Sequence, residues 1–148
     1  MKTLNSSLIE NYLKIYGWDF YKISHNIVIS GWQSQKRLYP LFIELSNTII
    51  NLEIRPFIKL NKPKINTYSL LEYLLKINND IKIVKLAIND NEEIILNLQL
   101  FTLGLSYENF CNALGILGYY ADELYENITQ YQDTLNIYNK TESYLLPC

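Results

Sequence analysis

The residues able to do chemistry are few and scattered. The chain of 148 residues carries one His, His25, and two Cys, Cys111 and Cys148. A zinc site needs three or four His or Cys donors at short spacings, and this set cannot supply them within one chain. His25 as a general base would need a nucleophile or substrate beside it. Its setting, Ser24-His25-Asn26, instead reads as a turn. Carboxylates cluster at Asp90, Glu92 and Glu93, but the central Gly of a calcium loop is missing there. Asp122, Glu123 and Glu126 have the spacing of a solvated helix face. No phosphate-cradling glycine loop and no G-x-S-x-G nucleophile elbow occurs. Gly115 and Gly118 fall inside a helical pattern, where they permit close packing. These residues argue against most enzymes, and the expectation from them is no catalytic residue, no metal and no cofactor.

Charge points away from nucleic acid as well. Thirteen basic residues against fifteen acidic ones give a net charge of -2, whereas phosphate binding calls for a clustered basic surplus. The densest basic stretch, Lys59 to Lys64, reads as a solvated loop. The N-terminus lacks the apolar core of a secretory signal, and the most apolar window, Ile94 to Leu105, is too short to cross a bilayer. A soluble cytoplasmic protein without membrane insertion is the expected setting. Cys111 reads as a small buried hydrophobe.

The unusual feature is aromatic content: 13 Tyr, 5 Phe and 2 Trp. Tyr and Trp offer large contact area with a polar tip, which suits interfaces as well as cores. Trp32, Tyr39 and Phe42 are expected at the edge or wet face of a sheet, and with the seam of the last helix already filled, some of Tyr119, Tyr120 and Tyr125 are expected to face outward or sideways, Tyr119 and Tyr120 being the candidates. These residues are candidate contacts for a partner protein. The tail, Tyr144-Leu145-Leu146-Pro147, is a second candidate binding element.

The elements that must position these residues follow from periodicity. A first helix is predicted over Ser7–Tyr16, with a Ser7/Glu10 capping box, a Gly17 stop and an apolar stripe of Leu8, Tyr12 and Ile15 or Tyr16. The pattern then changes to a period of two. Strands are predicted at Trp18–Ile23, Ile27–Trp32, Tyr39–Leu45 and Thr48–Arg55, where Pro56 ends regular pairing. Leu41, Ile43 and Leu45, with Ile50, Leu52 and Ile54, form the inward set.

A middle helix follows over Tyr68–Ile77, with Leu70, Leu71, Leu74 and Ile77 toward the core. A hairpin comes next, Lys82–Ile88 and Glu93–Phe101, turned at Asn89-Asp90-Asn91. The strongest signal is the last helix, capped by Ser106, where Phe110, Leu114, Leu117, Ala121, Leu124, Ile128 and Tyr131 recur at alternating spacings of four and three. From Asp133 the pattern fades. The expected organisation is a domain over residues 1–132 and a C-terminal tail over 133–148. The order α-β-β-β(-β)-α-β-β-α, without alternating βαβ units, predicts an α+β fold with an antiparallel sheet flanked by helices.

The run LLEYLLKINNDIKIVKLAINDNEEIILNLQL resembles the centre of the YbjN family, which shares the fold of type III secretion chaperones. The stretch LSYENFCNALGILGYYADELYENI is similar to the last helix of cyanobacterial YbjN-domain proteins. Gly31-Trp32-Gln33 and Ile43-Glu44-Leu45-Ser46-Asn47 are similar to their sheet. The resemblance implies a non-enzymatic, chaperone-like assembly factor or adaptor that grips a segment of a protein client and is commonly a homodimer. A cyanobacterial source would make photosynthetic or carbon-fixation (carboxysome) assembly the client class. The alternatives are a small-ligand-binding regulatory protein, which requires a concave and partly polar cavity, and a purely architectural homodimer.

Overall fold

A computed structural model describes residues 6–60 and 67–145, with side chains through 136. The elements are α1 (Ser7–Tyr16), β1 (Phe20–Ser24), β2 (Ile27–Gln33), β3 (Leu38–Leu45), β4 (Ile49–Lys59), α2 (Thr67–Asp80), β5 (Lys85–Ile88), β6 (Glu93–Phe101) and α3 (Tyr107–Leu145). The six strands form one antiparallel sheet in the order β1-β2-β3-β4-β6-β5. The fold is α+β, an open antiparallel sheet flanked by helices.

Strand alternation places Val28, Leu41, Ile43, Ile50, Leu52, Ile54, Leu96 and Leu98 on one face, all essentially without solvent exposure. The helices cover that face, and their buried residues join the same core: Ile9 and Leu13, Leu70 and Leu74, then Phe110, Leu114, Leu117, Ala121, Leu124 and Ile128. The expected seam of the last helix is therefore its core stripe. Ser106 caps it as expected, its hydroxyl accepting the Asn109 N–H at 3.0 Å.

Connectivity explains the strand order. β4 and β5 run in the same direction with β6 between them, so the chain must cross over the sheet, and α2 is that crossover. The Tyr73 and Tyr131 rings stack at 4.1 Å and hold α2 against α3. The Asn78 side chain then takes the place of a strand beside β5. Its amide donates to the Leu86 carbonyl at 2.9 Å and its carbonyl accepts the Leu86 N–H at 2.7 Å. The Ile77-Asn78 pair at the end of the helix thereby fixes where the hairpin begins.

Several expectations need correction. The α1 cap is Ser6 rather than Ser7; its hydroxyl donates to Glu10 at 3.2 Å and its carbonyl accepts the Glu10 N–H at 2.9 Å. The buried stripe of α1 is Ile9 and Leu13, one residue round from Leu8 and Tyr12. On α2, Leu71 is exposed and the helix continues through Asn78-Asn79 to Asp80. On β5, Ile88, which alternation predicts to face inward with Val84 and Leu86, is partly exposed. Pro56 does not end β4: the register shifts between Ile54 and Ile58, and pairing with β6 resumes at Ile58 opposite Ile94. The helix α3 also runs past Asp133 to Leu145. At 39 residues it is about 58 Å long.

Candidate functional site

The structure separates the aromatic residues into three settings. Trp32 and Tyr39 do not lie on the wet face of the sheet. Tyr39 is in phase with Leu41, Ile43 and Leu45, and is 2% exposed. Trp32 is half-buried opposite it, in phase with Val28 and Ser30, and the two rings stack at 5.7 Å. Both rings therefore serve the packing of α3. The Tyr39 hydroxyl donates to Asp122 at 2.8 Å, the Arg37 guanidinium sits 3.7 Å above the Tyr125 ring, and Lys36 pairs with Glu126 at 2.8 Å. Together these contacts clamp the β2–β3 turn to α3.

Burial, reinforced by the hydrogen bond to Asp122, raises the Tyr39 pKa well above the tyrosine range. In the unfolded chain Tyr39 ionises near pH ~10. A raised folded value means that the stability contributed by Tyr39 is complete below the unfolded value and is lost as pH rises toward the folded one. Urea midpoints compared at about pH 8 and about pH 11 are expected to fall less in Tyr39→Phe than in the wild type. An equal fall in both would show that Tyr39 does not carry the alkaline sensitivity.

Phe42 is on the opposite, open face as expected, but it is covered by the Arg55 guanidinium, 3.8 Å above its ring. Arg55 also reaches Glu53 at 3.5 Å. Glu53 is only 6% exposed although, among the described residues, no helix covers this face. Asn51 donates to it at 3.1 Å, and Asn97 donates both to Asn51 and to Glu53. The centre of the open face is thus a satisfied polar network rather than an apolar docking patch.

Tyr119 and Tyr120 mark the third setting. Tyr120 is half-buried, and its hydroxyl accepts the Lys82 N–H at 3.2 Å. That bond anchors a three-residue turn in which the Val84 N–H donates to the Lys82 carbonyl at 2.7 Å. The central residue, Ile83, has φ 70. Positive φ is rare and strained for a β-branched residue, about 1–3 kcal/mol. Its side chain is turned outward, 61% exposed. Two cavities meet at Ile83, Asn112 and Ile116. One, about 310 Å³, extends to Phe101, Leu103 and Leu105; the other, about 590 Å³, extends to Cys111, Gly115 and Tyr119. Leu103 is 93% exposed, Phe101 76% and Tyr119 64%. The Tyr119 hydroxyl is hydrogen-bonded to Glu123, which raises its pKa.

Sequence reasoning found Tyr119 and Tyr120 but missed Ile83, Phe101 and Leu103. A signal existed for one of them: Leu103 is an apolar residue in a turn, next to Gly104 at φ 75. Trp32, Tyr39, Phe42 and His25 do not line this groove. The side chains of Tyr144 and Leu145, and Leu146 and Cys148 altogether, lie outside the described residues. His25 is exposed in the β1–β2 turn, where its carbonyl accepts the Ser6 N–H at 3.2 Å. Asn89 organises the acidic turn, its side-chain carbonyl accepting the N–H groups of Asn91 and Glu93 at 3.0 Å each. Among the described residues no group of three His, Cys, Asp or Glu is placed to hold a metal ion. No described helix is long and apolar enough to cross a membrane.

Comparison with solved structures then places the architecture. YbjN from E. coli, a candidate transcription regulator, superposes with TM-score 0.64 at 16% identity, over 84% of this chain and 91% of that one. The chain shares the YbjN fold. The heterodimeric ExoU–SpcU complex from the type III secretion system of Pseudomonas aeruginosa contains a chain that matches with TM-score 0.54 at 15% identity, over 81% of this chain and 93% of that one. No protein-family model and no curated protein sequence matches this chain. At these identities the YbjN likeness establishes the fold, and function has to be argued from the surface.

Proposed function

We propose that the chain is a non-enzymatic, chaperone-like protein that holds a segment of a partner protein in the apolar groove between α3, Ile83 and Leu103. The observation that carries this reading is the contiguity of Phe101, Leu103, Ile83 and Tyr119, four large apolar or aromatic side chains that are mostly exposed around two joined cavities. Scattered exposed apolar residues are ordinary, but a contiguous patch lining a concavity favours a partner. The outward Ile83 side chain adds support, because strained backbone conformations cluster at functional sites. Gly115 leaves the α3 backbone open at the floor of the groove, with nothing within 4 Å of an added Cβ. A segment with apolar residues at helical or alternating spacing fits such a surface. A cytoplasmic client in photosynthetic or carbon-fixation assembly, and a homodimeric state, are the finer parts of this proposal and rest on the sequence resemblance.

The test is an affinity pull-down from native extract with wild type, Leu103→Asp and Ile83→Gly. Glycine accepts positive φ at no steric cost, so Ile83→Gly removes the side chain while relieving the turn. Central apolar contacts in an interface are each worth about 1–2 kcal/mol or more, so recovery of a stoichiometric partner is expected to drop about tenfold in each variant. A partner retained by both variants would place its binding elsewhere. A wild type that recovers no stoichiometric protein would remove the chaperone-like reading.

A further inference from the structure

A second surface carries unused main-chain hydrogen-bonding groups. β3 pairs with β4 only between Leu41–Ile54 and Leu45–Ile50, whereas β4 continues to Lys59 and pairs there with β6. Ile58 is opposite Ile94 and Lys59 opposite Glu93. The Glu93 carbonyl accepts the Asn89 N–H at 3.1 Å, and the Glu92 carbonyl accepts the Leu60 N–H at 3.4 Å. These two bonds set the phase of the ladder. Glu93 turns its main-chain groups away from β4, so Lys59 sits in a non-hydrogen-bonded pair and turns its own N–H and C=O toward the side that β3 has left. Among the described residues no strand meets them there.

Next to this free edge is a crevice of about 350 Å³ between β4 and α3, walled by Pro56, Phe57, Lys59, Tyr125 and Gln132. Gln132 is 4% exposed, and its amide nitrogen has no acceptor among the described residues. The nearby Thr129 hydroxyl donates to the carbonyls of Tyr125 and Glu126, at 2.7 and 3.1 Å, and its oxygen makes no bond with the Gln132 amide. Burying an amide without a partner costs folding energy, so a ligand that supplies an acceptor recovers it.

We propose that this crevice binds an extended segment of a partner polypeptide, which pairs with the free edge of β4 at Lys59 and offers a main-chain carbonyl to the Gln132 amide. A polypeptide is the occupant these groups select. Lys59 presents a donor and an acceptor as a residue of a β-ladder does, Gln132 requires an acceptor, and the Phe57 and Tyr125 rings, in edge contact with each other at 5.8 Å, give the crevice an apolar wall for one side chain. The inference rests on the protein-binding reading only for the class of partner, because the crevice and the Leu103 groove are separate surfaces.

The test uses the full chain to select binders from a random dodecapeptide phage library, and then measures synthetic peptides by fluorescence anisotropy. Gln132→Leu removes the unmatched amide, and Lys59→Pro removes the outward N–H without taking a bond from the β6 ladder. Peptide affinity is expected to fall about tenfold or more in each of these variants and to be unchanged in Leu103→Asp. Gln132→Leu is expected to unfold at the same temperature as wild type or higher, so loss of binding cannot be attributed to loss of fold. Peptides that bind Gln132→Leu and Lys59→Pro as well as wild type would overturn the proposal. If those peptides fail only on Leu103→Asp, the groove reading stands and this one falls. Failure to select any peptide, or a wild-type dimer that becomes a monomer in Lys59→Pro, would also overturn it, the latter by assigning the crevice to a second copy of the chain.

Discussion

Phe110→Ala is expected to lower the folding free energy by about 3–5 kcal/mol. Phe110 has no exposed surface and lies one turn into α3, where its ring is 5.6 Å from that of Tyr12 on α1. Tyr12 in turn meets Tyr107 at 5.5 Å, so this region is where the first and last helices join. Truncation removes the transfer energy of a large side chain and leaves a cavity that two helices and the sheet cannot easily close. Ile9 and Leu13, the two fully buried residues of α1, belong to the same core. Undocking of α1 is thus expected to accompany the loss and to appear as faster amide exchange in residues 7–16. The check is urea denaturation followed by far-ultraviolet circular dichroism, with Tyr119→Ala as reference. Tyr119 is on the same helix but points into solvent, and its truncation is expected to stay within about 0.5 kcal/mol of wild type. Equal effects from the two substitutions would mean that the seam is not what holds the domain together.

Gly118→Ala is expected to destabilise by about 1–3 kcal/mol, although alanine is the better helix former. A Cβ at Gly118 would lie 2.3 Å from Cζ2 of Trp32 and within 2.7 Å of two further indole atoms. The ring cannot turn aside easily, because it is stacked on Tyr39, whose hydroxyl is held by Asp122. Either α3 rises from the sheet or the indole leaves its place, and both disturb the contacts beside it. Gly115, one turn earlier, has open space above it. Gly115→Ala is expected to stabilise by up to about 1 kcal/mol through helix propensity alone. Opposite signs from two glycines three residues apart would establish that the indole governs the first. A gain in both would show that Trp32 yields readily, and tryptophan emission in Gly118→Ala would then be unshifted.

Much of the architecture was legible because it depends on short-range periodicity. The span of α1, the alternation through β3 and β4, the hairpin of β5 and β6, and the Phe110-to-Ile128 seam all follow from side chains that must share a face. The burial of Tyr39 was legible too, since it is in phase with Leu41, Ile43 and Leu45. The expected place at the edge or wet face fails because Asp122, 83 residues away, satisfies the Tyr39 hydroxyl inside the core. The α1 stripe was displaced by one residue because its sequence offers two adjacent apolar rows. Only contact with α3 and the sheet selects Ile9 and Leu13. Pro56 reads as a strand end because it lacks a donor, yet a register shift lets β4 continue by leaving that position out of the ladder.

The candidate sites were far less legible than the core. Each is made by residues that local pattern treats as unrelated. The groove joins a strained turn at Ile83, a second turn at Leu103 and one face of α3. The crevice joins the free end of β4 to Gln132. By itself, the sequence determined the element types, the core composition and the scarcity of catalytic groups, because backbone sterics and hydrophobic spacing act within a few residues. Tertiary structure alone decided which apolar residues remain uncovered and which buried donor lacks an acceptor, because both depend on where a distant segment of chain comes to rest.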